Sequence, residues 1–200
     1  MVKLLEEPRL LEVNMMFAGL QSGTSVIEGR VDLYSCKLAG DDKRVSKSLE
    51  QHYIEELQAL GAGTSPVGAG TSPVGPLSDS SSRRTLINLI LTLNASFPDY
   101  EFSSLRPEDF MKEPALDVVG AKINRDLCWG AQPGTGSAQE ALVQKLWSAM
   151  EEVICPGECG IYSYQPDTDC DPLSSEGKVL SLCMRQGGEL VMSLSADLGI

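Results

Sequence analysis

Residues 179–195 read VLSLCMRQGGELVMSLS. Two runs of β-compatible residues, 179–185 and 189–195, flank Gln186-Gly187-Gly188, and a glycine pair between such runs predicts a β-hairpin. Upstream, GIYSY at 160–164 predicts another strand. Further back, Ser137 and Glu140 form a capping-box pattern, followed by Val143, Leu146, Trp147, Met150 and Ile154 at helical spacing, with Pro156 ending the run. Leu116, Val119, Ile123 and Leu127 predict a second helix, and Leu86, Leu89, Ile90, Leu93 and Phe97 a third, terminated by Pro98.

In the N-terminal part, Ser48 and Gln51 suggest a helix start with Leu49, Tyr53, Leu57 and Leu60 turned inward, stopped at Gly61. Residues 26–36 alternate: Ile27, Val31 and Leu33 share one face, Glu28, Arg30 and Asp32 the other, as in a half-buried strand. Pro8 opens a helix with Leu10, Val13, Phe17 and Leu20 inward, ending at Gly23. Between the two parts, residues 61–82 contain two copies of GAGTSPV and then PLSDSSS, with Asp79 as the one charge. Such a stretch lacks the apolar surface to offset ordering entropy, so it is expected to be a flexible insert. The expected fold is a single α+β domain, sandwich-like, with a mainly antiparallel sheet packed against helices. Residues 1–60 and 83–200 form one globular unit around the insert at 61–82.

The 200 residues are 42% hydrophobic and 22% charged, with 16 Lys+Arg against 28 Asp+Glu, a net charge of −12. That balance opposes a phosphate-backbone footprint, so no direct nucleic-acid partner is expected, and it suits a basic protein surface instead. Six cysteines in this length are too few for a disulfide scaffold. The acidic N-terminus does not resemble a signal peptide, and no apolar run reaches membrane-spanning length. A reducing compartment and no membrane partner are expected.

Catalytic signatures are weak. A Ser-His-Asp or Cys-His site needs a base, and the single histidine, His52, reads as an exposed helix residue. Cys155 and Cys159 lack a second Cys/His pair to complete a zinc site. Asp167, Asp169 and Asp171 start like a calcium loop, yet Pro172 stands where glycine is needed and Lys178 where the bidentate Glu belongs. No catalytic residue, metal or cofactor is expected. The cluster leaves a metal-dependent hydrolase as one alternative, and a generic ligand-binding α+β module as another.

From Glu151 to Glu176 seven carboxylates occur without a Lys or Arg, and Tyr162 and Tyr164 lie among them. Acid interleaved with tyrosine suits docking on a basic partner, which nominates Tyr162, Tyr164, Asp167, Asp169 and Asp171 as contacts.

Several boxes occur in a fixed order: MVKLLE at 1–6; Tyr34, Cys36, Lys37, Gly40, Asp41, Asp42 and Lys43 within 34–43; PLSD at 76–79 and SRRTL at 82–86; Pro98, Asp99, Tyr100 and Phe102 within 98–103; and IYSYQPD with DCDP over 161–172. With the low-complexity insert between the first boxes, residues 1–172 resemble the eukaryotic Maf-type repressors of RNA polymerase III transcription. The resemblance implies a non-enzymatic negative regulator that binds the polymerase and blocks its recruitment to promoter-bound initiation factor. It also implies nuclear and cytoplasmic pools, with protein kinases acting on the insert as the switch. After residue 172 the chain departs from the family: Leu180, Leu182, Cys183 and Met184 stand where the family has an aromatic-rich strand, and Gln186-Gly187-Gly188 replaces its basic turn.

Ser65-Pro66 and Ser72-Pro73 offer proline-directed phosphorylation sites, and Arg83 and Arg84 are the nearest cations to pair with a phosphate. Asp41, after Gly40, is expected to accept backbone hydrogen bonds as a turn or cap residue, worth about 1 kcal/mol.

Overall fold

The computed structural model describes residues 2–18, 20–22, 25–61, 74–128, 137–165 and 179–197. In chain order the elements are β1 (Val2–Leu5), α1 (Pro8–Phe17), β2 (Gln21–Ser22), β3 (Ser25–Val26), β4 (Glu28–Leu38), α2 (Asp41–Gly61), α3 (Ser80–Ser96), β5 (Phe110–Lys112), α4 (Leu116–Leu127), α5 (Ala138–Val153), β6 (Gly160–Tyr164), β7 (Val179–Gln186) and β8 (Leu190–Asp197). Strands β2 and β3 pair only with each other. The other six form one antiparallel sheet in the order β1-β4-β8-β7-β6-β5. The expected hairpin is its centre: β7 and β8 pair in register from Val179↔Asp197 to Gln186↔Leu190. Gly187 takes φ +56 in the turn, a conformation open to glycine at little cost.

Strand alternation sorts the core into two layers. Val31, Leu33, Ile161, Leu182, Met184, Met192 and Leu194 pack with α1, α4 and α5. Tyr34, Tyr162, Cys183 and Val191 face α2 and α3. The sheet is therefore covered on both sides, although β4 alternates as if one face met water. The polar face of β4 lies beneath the α2–α3 layer, where Asp32 keeps only 12% of its side chain exposed. There Arg30 donates to Asp32, Ser96 and Ser193 share a hydroxyl bond at 3.1 Å, and Tyr34 hydrogen-bonds Ser96.

Beyond the reach of β1, the edge of β4 meets a side chain instead of a strand. Asn14 of α1 donates from Nδ2 to the Val31 carbonyl and accepts the Val31 N–H at Oδ1, both at 2.8 Å. Its amide thus replaces one rung of a β-ladder. Asn14→Leu strands two backbone groups and is expected to cost about 2 kcal/mol. An unchanged denaturant midpoint would remove this role.

Several boundaries differ from expectation. Helix α1 ends at Phe17 because Ala18 is extended, although Leu20 remains in the core. β4 runs 28–38, displaced from the expected 26–36. Helix α2 begins at Asp41, after Gly40 turns at φ +57, so Ser48 and Gln51 lie inside the helix and cap nothing. Leu60 points outward, 65% exposed. Asp41 stands in the first turn of α2 and accepts Arg44 at 2.7 Å, exposed, where its charge favours the helix dipole. Asp41→Ala is accordingly expected to cost about 0.5 kcal/mol, below the cap value, read as the shift of the denaturant midpoint. Within 74–82, Val74 is buried and Asp79 caps α3, accepting Ser81 N–H. Ser137 caps α5 through Glu140 N–H, as its sequence implies.

Candidate functional site

Where β4 starts and β8 ends, Glu28 stands directly opposite Asp197, Gly29 opposite Ala196 and Arg30 opposite Ser195. Like charges placed across a strand pair destabilise it, and the chain keeps them here. The loop after α3 closes over this end of the sheet and brings Asp99 and Tyr100 to it, with Phe97, the C-cap residue of α3, behind. Together these residues line a cleft of about 390 Å³. Arg30 is the one cation among its lining residues. The hydrogen bond and charge of Asp32 raise its pKa, so its positive charge is already committed. Asp99 follows the C-terminal end of α3, where the helix dipole adds negative potential. The cleft therefore joins an acidic rim to two aromatic rings. Its chemistry suits a Lys or Arg side chain, through carboxylate contact and cation–π stacking.

Of the box at 98–103, Pro98 and Asp99 are exposed and Tyr100 is half-buried, while Phe102 is fully buried. Phe102 N–H donates to Asn94 Oδ1 at 3.3 Å, which fixes the loop to α3. Of the earlier box, Tyr34 is core, Cys36 is half-buried, and Lys37, Gly40, Asp41 and Lys43 are exposed, whereas Asp42 is buried. Burial raises the pKa of Tyr34 and keeps its phenol neutral.

One of the two expected tyrosine anchors, Tyr162, requires correction. Tyr162 is 8% exposed and belongs to the core beside Cys183. Tyr164 meets Phe102 edge-on with centroids 5.9 Å apart, and Phe110 at 5.9 Å. Both rings face α3 and its loop because the sheet is covered on that side; Tyr162 is buried there and is no surface anchor, while Tyr164 stays half-buried. Asp167, Asp169 and Asp171 lie outside the described residues, as do Ser65 and Ser72. Glu151 and Glu158 are exposed, and Glu152 accepts Arg9 of α1 at 2.9 Å. A cation brought by folding thus partly answers a stretch that holds none in sequence. Glu28, Arg30 and Asp197 were not nominated from sequence. The available signal was the charged alternation of β4, which reads equally as an ordinary solvated face.

The basic pair divides. Arg83 is a structural residue: it donates to Glu50 at 2.7 Å and to the carbonyls of Leu77 and Ser78 at 2.8 and 3.2 Å. Arg84 is exposed.

Among the described residues no three His, Cys, Asp or Glu side chains are placed to hold a metal, and no helix is long and apolar enough to cross a membrane. Cys159 donates its thiol to the Ile154 carbonyl at 3.2 Å. Burial pushes Cys159 up to about 11 and Cys183 up to about 12, whereas Cys155 is exposed. Alkylation at mildly alkaline pH should label Cys155 well before Cys159 or Cys183, because the thiolate is the nucleophile. Mass spectrometry that finds Cys183 labelled as fast would contradict this packing.

A family model described as Maf1 regulator matches residues 27–184. The match continues past residue 172 into β7, as far as Met184, so the strand that departs in composition keeps its place in the family pattern. The "Repressor of RNA polymerase III transcription maf1" of Schizosaccharomyces pombe is 40% identical over 157 residues, which cover 76% of this chain and 63% of that protein. A "Repressor of RNA polymerase III transcription" of Dictyostelium discoideum is 30% identical, over 90% of this chain and 77% of the relative. The crystal structure of citrus MAF1 superposes with a TM-score of 0.66 at 30% identity, covering 94% of this chain and 95% of that one. These similarities accord with the six-stranded sheet and its helices in a single domain, and the chain belongs to the Maf1 regulator family.

Proposed function

We propose that this chain represses transcription by RNA polymerase III by binding the polymerase and blocking its recruitment to promoter-bound initiation factor, without chemistry of its own. Membership of a family whose relatives carry the name of repressors supports the role. The observation that carries the mechanism is the acidic cleft of Glu28, Asp99 and Asp197 beside Tyr100. A cleft of this charge takes a basic side chain of the polymerase. Glu28→Lys with Asp99→Lys should weaken binding to purified RNA polymerase III at least tenfold at low salt and flatten the salt dependence. Equal affinity of variant and parent at both ionic strengths removes the cleft from the interface.

Phosphorylation of Ser65 and Ser72 by proline-directed kinases is the proposed switch between cytoplasmic and nuclear pools. Ser65→Ala with Ser72→Ala should then keep the protein nuclear and repressive in growing cells. A double variant distributed like the parent excludes these serines as the switch.

A further inference from the structure

On the same face of the sheet, at its other end, α2, α3 and the β7–β8 turn enclose a groove of about 540 Å³. Its lining includes Lys47, Arg84, Ser46, Ser80, Asn88 and Gly188. Glu50 also lines it, but its carboxylate accepts Arg83 at 2.7 Å and is neutralised there. Lys47 and Arg84 make no ion pair among the described residues. A third cation stands behind them. A Cβ on Gly188 would lie 3.8 Å from a guanidinium nitrogen of Arg185, and the buried Nε of Arg185 has no hydrogen-bond partner. In a chain of net charge −12, two cations line this groove and a third lies beside Gly188 at its rim, while Glu50 is paired with Arg83.

We infer that this groove binds a phosphorylated serine or threonine side chain, held by Lys47, Arg84 and Arg185. Guanidinium forks match the oxygens of a phosphate in a bidentate manner, and an ammonium supplies a third point charge. The hydroxyls of Ser46 and Ser80 and the amide of Asn88 add neutral donors. A phosphate alone would leave most of the volume unfilled, so the occupant is a phosphorylated segment of chain. The inference deepens the regulatory proposal by naming the receiver of the phosphate, and it stands even where Ser65 and Ser72 are not the modified residues.

The test uses the full chain and the peptide Thr-phosphoSer-Pro-Val, with its unphosphorylated counterpart, followed by calorimetry at two ionic strengths. The phosphopeptide should bind and the plain peptide should not. Lys47→Gln with Arg84→Gln should weaken binding at least tenfold at an unchanged thermal midpoint, since both residues are exposed. Arg185→Gln should weaken it as well. Equal affinity for the two peptides, or a double variant that binds like the parent, overturns the site. Chain phosphorylated at Ser72 supplies the second arm. Loss of added-peptide binding identifies the chain's own phosphoserine as the occupant, and retained binding identifies a separate phosphoprotein.

Discussion

Replacing Glu113 by Leu is expected to lower stability by about 3 kcal/mol, among the largest effects of any single substitution in this chain. Its side chain is 3% exposed and lies just beyond β5. Lys122 of α4 donates to Oε1 at 3.0 Å, and Ser163 of β6 donates to the same oxygen at 2.7 Å. The Glu113 N–H donates to the Ile161 carbonyl at 2.8 Å, so one residue ties the sheet edge to a helix. Removing one member of such a pair leaves the other charge without compensation, at a cost of about 3–5 kcal/mol when fully buried. Lys122 keeps 16% exposure and recovers part of its hydration, which puts the effect at the lower end. Glu113→Gln keeps an acceptor for Ser163 and should cost less. Combining Glu113→Leu with Lys122→Met should cost less than the sum of the two. A denaturant midpoint shifted by less than the equivalent of about 1 kcal/mol, at constant m, would contradict this assignment.

Gly29→Val should have an effect of similar size, about 3 kcal/mol, through a different mechanism. Phe17 of α1 lies on the bare backbone of β4 at Gly29. An added Cβ would meet its Cζ at 2.9 Å and two further ring carbons closer still. The ring is 2% exposed and cannot swing away without lifting α1 from the sheet. Phe17→Leu in the Gly29→Val background should recover part of the loss. A double variant less stable than Gly29→Val alone would show that the ring is not the obstacle.

The helices with a clean apolar stripe and the glycine hairpin were legible because period and turn chemistry are local. Strands β1 and β5 were not, since four and three residues carry no period and pair only through the tertiary fold. The start of α2 was hidden for another reason: Asp41–Ser48 is polar except for Val45, too sparse an apolar pattern to show a helical period. Tyr162 and Tyr164 show the limit of reading exposure from neighbours in sequence. Acidic residues flank them, yet alternation turns both rings toward α3 and its loop. The cleft joins residue 28 to residues 99 and 197, a juxtaposition that exists only once β4 pairs with β8. The groove likewise joins Lys47 of α2 to Arg84 of α3, whereas Arg83, next to Arg84 in sequence, is spent on Glu50 and the carbonyls of Leu77 and Ser78.

Repression is proposed to act by occupying the polymerase through the acidic cleft. Its most direct measurement is promoter-dependent transcription with purified RNA polymerase III and its initiation factor, with this chain added before or after polymerase recruitment. Repression by the parent when added first, little when added last, and none by the Glu28→Lys, Asp99→Lys variant is the predicted result. Equal repression in both orders of addition, or repression by the variant equal to that of the parent, would contradict it.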